Sequence, residues 1–118
     1  MLLINYNAPV IEIRRYITRA GKDVVGNWLA GLGDVQARAR IAARIDRFSL
    51  GNFGDCKPLR EGVSELRIDW GPGYRLYYAM VGRTCVLLLC GGDKRRQSFD
   101  TDGAVEYLHD YQERTRKP

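Results

Sequence analysis

The sequence is poor in metal ligands and thiols. It holds one histidine, His109, and three cysteines, Cys56, Cys85 and Cys90, with no Cys-x-x-Cys pair among them. So thin a supply of imidazole and thiolate argues against a metal centre, and no metal or other cofactor is expected. An odd thiol count also argues against a disulfide framework. Cys85 and Cys90 are separated by an odd step, which on a strand sends side chains to opposite faces, so they cannot bridge each other. All three read as buried thiols in a reducing compartment, and the expected location is cytoplasmic. No apolar stretch reaches about 18 residues, and the apolar start Met1–Ile4 lacks a charged flank and a cleavage site. Neither a membrane span nor a standard export signal is therefore expected. The Walker A, GxGxxG and GxSxG patterns are missing, which excludes the commonest nucleotide-binding and serine-hydrolase solutions. Gly91-Gly92-Asp93 comes nearest to a phosphate loop, but no helix is expected directly behind it. Repeats, low-complexity runs and domain-scale linkers are absent too.

What the sequence does have is positive charge. Nineteen Lys and Arg face fourteen Asp and Glu, a net charge of +5 over 118 residues. Such a surplus favours a polyanionic partner, RNA or DNA first and an anionic membrane second, though an acidic protein would suit the same surface. The length fits one domain spanning 1–118, and such a domain buries roughly two-thirds of the surface its unfolded chain exposes.

Residues 1–9 read as an irregular extension and 114–118 as a frayed tail. Val10–Tyr16 has strand composition. Val24, Val25, Trp28, Leu29 and Leu32 recur at helical spacing, with Thr18 as a possible cap. Gly33-Asp34 ends that helix and starts a second, on which Ile41, Ile45 and Phe48 share a face and Gly51 serves as C′ glycine. Residues 51–62 read as a loop. A meander follows: Ser64–Trp70, a turn at Gly71-Pro72-Gly73, Tyr74–Val81, a two-residue turn at Gly82-Arg83, and Cys85–Cys90. The last run is apolar on both faces and predicts a central strand covered on both sides. Gly91–Arg96 reads as a basic loop and 103–114 as a helix, with Val105 and Leu108 inward. The expected order is β-α-α-β-β-β-α, an α+β fold whose mostly antiparallel sheet packs against helices.

The meander predicts a geometry. A three-residue turn at 71–73 sets Asp69 opposite Arg75 and Arg67 opposite Tyr77, and the next turn sets Cys90 opposite Arg75. Arg67, Arg75, Lys94 and Arg95 would then converge on one concave surface with Tyr77 beside them. Cations suit phosphates and an aromatic ring suits a base. RNA carries its own nucleophile, the 2′-OH. A protein that cleaves it needs to align that group, stabilise the pentavalent transition state and move two protons. Each residue also has a plainer reading. Asp69 and Arg75 could be an ordinary cross-strand ion pair. Tyr77 could simply cover the sheet. Glu65 reads equally as a general base or a solvent-facing strand carboxylate. Arg40, Arg44 and Arg47 read as a solvated helix face, with ribosomal RNA contact as the alternative. Arg95-Arg96 alone is weak, and His109 reads as a surface residue.

These segments also resemble a known family. Ser64-Glu-Leu-Arg-Ile-Asp-Trp-Gly-Pro-Gly-Tyr-Arg-Leu-Tyr-Tyr78 resembles the central hairpin of RelE/ParE toxins. Val86-Leu-Leu-Leu-Cys-Gly-Gly-Asp-Lys94 resembles the strand and loop of the HigB-like addiction module killer group, as do Ala37–Ile45 and Gly51–Pro58. The similarity covers about residues 10–112. It implies a RelE-like, microbial-RNase-like fold and the toxin of a type II toxin-antitoxin system. Such a toxin is a ribosome-dependent messenger RNA endoribonuclease (an mRNA interferase that inhibits translation), restrained by a helix-turn-helix antitoxin similar to HigA. It implies catalytic roles for Arg67, Arg75, Lys94 and Arg95, and RNA contact at Lys57; Glu65, Tyr77 and Arg96 complete the expected RNA-binding set. Three departures stand out, the first being an N-terminal extension to Pro9 that is longer than usual. Arg95-Arg96 replace the small polar residues that relatives often carry, and a C-terminal tyrosine used by some relatives has only Thr101 near its position, with Phe99 and Tyr107 as neighbours. The same fold admits two other functions: non-enzymatic inhibition of DNA gyrase, as in the ParE branch, and an inactive relative that only binds its antitoxin.

Overall fold

A computed structural model describes residues 11–116. The expected extension at 1–9, Val10 of the first strand, and Lys117 and Pro118 of the tail lie outside the described residues. The elements run β1 (Glu12–Arg15), α1 (Val24–Gly31), α2 (Val35–Ser49), β2 (Cys56–Arg60), β3 (Val63–Ile68), β4 (Tyr74–Met80), β5 (Cys85–Asp93), a 3₁₀ turn at Lys94–Arg96, and α3 (Gln97–Thr115). The fold is α+β. Its five-stranded sheet has the order β1-β5-β4-β3-β2, antiparallel except where β1 runs parallel to β5.

The expected order missed one strand. Cys56–Arg60, read as loop, pairs antiparallel with β3, through Cys56 with Leu66 and Lys57 with Glu65. Pro58 sits in it without conflict because β2 is an edge strand, where a missing N–H costs no ladder bond, and a register shift follows between Pro58 and Arg60. Two helix boundaries also differ. Asp23, not Thr18, caps α1, its Oδ1 accepting from the Gly26 N–H at 3.0 Å. The third helix begins at Gln97 rather than 103 and takes in Arg114 and Thr115 from the expected tail.

Helices cover both faces of the sheet. Val25, Ile41 and Phe48 of the helical hairpin pack on Leu66, Ile68, Leu76, Tyr78, Val86 and Leu88. On the other face Ala104, Val105 and Leu108 of α3 pack on Val63, Tyr77, Ala79, Leu87 and Leu89. This explains the continuous apolar run of β5, which lies between β1 and β4 with Cys85–Cys90 buried, as expected. It also overturns the reading of Tyr77 and Glu65 as outward residues. Tyr77 is 0% exposed and Glu65 1%, because α3 covers the face they share. Burial pushes the Cys90 thiol up to about 12. No described helix is long and apolar enough to cross a membrane.

Asp34 joins the two layers. Its Oδ1 accepts from the N–H groups of Gln36 and Ala37, capping α2, while its Oδ2 accepts from Trp70 Nε1 at 2.9 Å. The Trp70 bond, followed by the backbone bonds, holds the Asp34 carboxyl below its ordinary value of 3.8. A depressed folded-state value means the contribution is complete above that ordinary value and disappears as pH falls through the folded one. Asp34→Ala should therefore lower the melting temperature at neutral pH. The gap from the native chain should narrow as an acid titration proceeds below pH 3.8; a gap constant with pH would contradict this role.

Candidate functional site

The β3–β4 turn is wider than the sequence suggested, and this rearranges the site. Ile68 pairs with Tyr74, so five residues, Asp69–Gly73, make the connection. Trp70 leaves the strand to reach Asp34, and the Arg40 guanidinium stacks on its ring at 3.9 Å. Gly71 and Gly73 take positive φ of 56° and 83°, which closes the turn without a Cβ penalty. As a result Arg67 lies opposite Arg75, not Tyr77, and Glu65 lies opposite Tyr77. The β4–β5 turn takes three residues rather than Gly82-Arg83 alone, Val81 bonding to Cys85, and a register shift between Tyr77 and Tyr78 adds a further step, so Gly92 rather than Cys90 lies beside Arg75.

Two guanidinium groups on facing positions repel each other. The fold answers with a separate carboxylate for each. Asp55, just before β2, accepts from Arg67 Nη2 at 2.7 Å and from Nε at 3.2 Å. Glu65 lies 3.5 Å from Arg75 Nε, an ion pair rather than a hydrogen bond. The expected cross-strand pair of Asp69 with Arg75 is thus replaced by Glu65 with Arg75. The Glu65 carboxylate also accepts from Gln97 Nε2 at 2.8 Å, which ties the first residue of α3 to the sheet.

Arg67, Arg75 and Lys94 line one cleft of about 240 Å³, together with Asp55, Asp69 and Gly73. Lys94 gets there because its N–H donates to the Gly73 carbonyl at 2.9 Å, pinning the residue after β5 to the β3–β4 turn. Both basic arms cross Gly73: a Cβ there would lie 3.3 Å from Lys94 Cδ and 3.7 Å from Arg75 Nη1. Arg75 is mostly buried, with 16% of its side chain exposed, whereas Lys94 is exposed.

The remaining predicted residues lie apart from this cleft. Arg95 is drawn back onto Asp93, which accepts from its Nη2 at 2.8 Å, and that contact holds the Asp93 carboxyl low. It faces a neighbouring groove of about 660 Å³ between β2 and the start of α3, which Lys57, Lys94, Gln97 and Thr101 also line. Arg96 stacks on the exposed ring of Phe99 at 4.5 Å. Tyr77, buried under α3, has no free face for a base, and burial pushes its hydroxyl well above the usual phenol range. Glu65 likewise has no exposed face. Arg44 donates to the Arg67 carbonyl at 3.1 Å and so braces β3 rather than belonging to a solvated stripe. Arg40, Arg44 and Arg47 line a third concavity, which meets the central cleft at Asp69. His109 is exposed beside Glu61.

Gly91-Gly92 belongs to β5 rather than to the expected basic loop, and helix does follow directly, the 3₁₀ turn at Lys94–Arg96 and then α3 from Gln97. A Cβ on Gly91 would fall 2.3 Å from the Trp28 ring, and one on Gly92 2.0 Å from Asp100 Oδ2. The pair lets α1 and α3 approach β5 closely from opposite sides. Asp55 and Gln97 escaped sequence reading altogether. Asp55 lies within the Gly51–Pro58 stretch but drew no notice of its own, Gln97 lies in no motif, and each reaches the site only through the register of β2 or the early start of α3. Among the described residues no group of three or more His, Cys, Asp and Glu side chains could hold a metal ion.

The fold and the cleft together define a small α+β protein with a cationic cleft at one end of a helix-covered sheet. No family model matches the chain. It is 50% identical over 74 residues to an uncharacterized protein of Haemophilus influenzae, a match spanning 63% of this chain and 75% of that protein. The chain belongs to the same family as that Haemophilus protein.

Proposed function

We propose that the protein is a toxin of the RelE/ParE superfamily, HigB-like branch, with the RelE-like fold, and that it cleaves messenger RNA on the ribosome. The observation that carries the reading is the meeting of Arg67, Arg75 and Lys94 in one cleft. Three cations from two strands and the turn beyond a third can hold a phosphodiester and take up the charge that grows on its oxygens. In this reaction the ribose 2′-oxygen attacks the adjacent phosphorus and the bond to the 5′-oxygen breaks. The 2′-OH proton passes to a carboxylate, with Asp69 available in the cleft, and the leaving 5′-oxygen takes a proton from a neighbouring acid, with Lys94 placed for it. The products are a 2′,3′-cyclic phosphate and a 5′-hydroxyl. Lys57 and Arg95, which line the adjoining groove, supply contacts for flanking phosphates. Arg96, stacked on Phe99, extends the cationic rim, and a helix-turn-helix antitoxin covering the cleft would restrain the protein in the cytoplasm.

Induction of the native chain in bacteria, with mapping of transcript ends, tests the reading. Growth arrest with new ends inside translated regions is expected. Intact transcripts accompanied by double-strand DNA breaks would instead select gyrase inhibition, and harmless expression would select a protein that only binds its antitoxin.

A further inference from the structure

Glu65 is a carboxylate with 1% exposure on the sheet face that α3 covers, beside Tyr77, where the apolar core gives way to Arg67 and Arg75. Burying a charge there carries a desolvation penalty, and packed apolar residues often replace such ion pairs with equal or better stability. Stability therefore accounts poorly for Glu65, and its surroundings suggest what does. One oxygen, Oε1, lies 3.5 Å from Arg75 Nε and accepts from Gln97 Nε2 at 2.8 Å. The opposite end of the same guanidinium, Nη1, lies against Gly73 in the cleft and 3.4 Å from the Tyr74 carbonyl. Arg75 is thus held by its Nε edge from behind, with its Nη end at the cleft. Tyr77, opposite Glu65 on β4 and fully buried, walls the carboxylate on one side. Gln97 fixes it from α3.

We propose that Glu65 is the positioning residue of the site: with Gln97 it aims the Arg75 guanidinium at the phosphate in the cleft, without touching RNA itself. This rests on the nuclease reading, since it assigns Arg75 a phosphate to meet. It also replaces the general-base reading of Glu65, because a carboxylate with this burial and these two partners has no path to a 2′-OH.

The test uses Glu65→Gln, which keeps the shape and removes the charge, in the full chain. The first readout is the Arg75 Nε–H signal in nitrogen-15 NMR, assigned by its loss in Arg75→Lys. The native chain should show it as a distinct, slowly exchanging resonance, and Glu65→Gln should shift it and speed its exchange. The second readout is RNA cleavage. Glu65→Gln should lower kcat about 10–100-fold with KM within about twofold, the pattern for loss of a contact made in the transition state. Glu65→Gln/Arg75→Ala should cleave no more slowly than Arg75→Ala alone, since residues acting through one another are not additive. An unchanged Nε–H signal, native cleavage by Glu65→Gln, or multiplying losses in the double variant would each overturn the proposal. If the native chain cleaves no RNA while the Nε–H signal still depends on Glu65, the positioning role stands and the nuclease reading alone fails.

Discussion

Arg75→Ala is expected to lower RNA cleavage by about 100–1000-fold, the size of effect seen when one preorganised donor to a developing oxyanion is removed. Growth arrest on induction should disappear with it. The variant will also be less stable, for a reason visible only in the structure. Removing the guanidinium leaves Glu65 buried with Gln97 as its hydrogen-bond donor and without its ion-pair partner. Breaking a buried pair from one side is costly, up to about 3 kcal/mol for a pair this enclosed. The two effects can be separated. Adding Glu65→Gln to Arg75→Ala removes the stranded charge and should recover much of the lost stability in urea titrations, while cleavage stays at the level of the single variant. Recovery of cleavage along with stability would mean that Arg75 supports the fold and not the chemistry.

The second large effect falls on the core. Phe48 is 0% exposed near the end of α2, stacked on Phe53 at 4.7 Å and tilted against Tyr78 at 4.9 Å. It fixes the helical hairpin to β4 and to the segment that leads into β2. Phe48→Ala should cost about 3–5 kcal/mol, from lost transfer energy and the cavity left behind. For a domain of this size that is a fall in melting temperature of roughly 10–20 °C. A fall of only a few degrees would mean that α2 is loosely docked and that the brace from Arg44 to the Arg67 carbonyl does little. Because Asp55 follows Phe53 closely in the chain, cleavage should weaken well below the new melting point, as Arg67 loses its fixed partner.

Much of this architecture was readable from residue order. The apolar periodicity of 41–48 marked the buried face of α2, and Gly51, at a φ of 80°, ends it as a C′ glycine should. The unbroken run of Cys85–Cys90 marked a strand covered on both sides. The site was only partly readable. That Arg67, Arg75 and Lys94 line one cleft follows from strand adjacency, which survives an error in register. Who faces whom does not survive it. Trp70 was counted as strand because it continues the alternation of Leu66 and Ile68, but its indole N–H finds Asp34 some 36 residues away in sequence, and that long-range bond pulls it out of the ladder. The resulting two-residue slip put Arg67 across from Arg75. Glu65 and Tyr77 were misjudged for a related reason. Polar and amphipathic side chains at alternate positions look like a wet face until a helix is known to cover them. α3 does so with a weakly amphipathic sequence whose first turns, from Gln97 onward, carry Phe99 as their one large apolar side chain, and that ring faces solvent.

Arg67, Arg75 and Lys94 meet in one cleft, and the most direct measurement of the proposed cleavage is the chemistry of the ends it would make. Purified protein added to a reconstituted translation reaction should cut the messenger within its translated region, leaving 2′,3′-cyclic phosphate and 5′-hydroxyl termini, and Arg75→Ala should leave the transcript whole. A native protein that leaves the messenger intact, or an Arg75→Ala variant that cuts as well as the native chain, would contradict it.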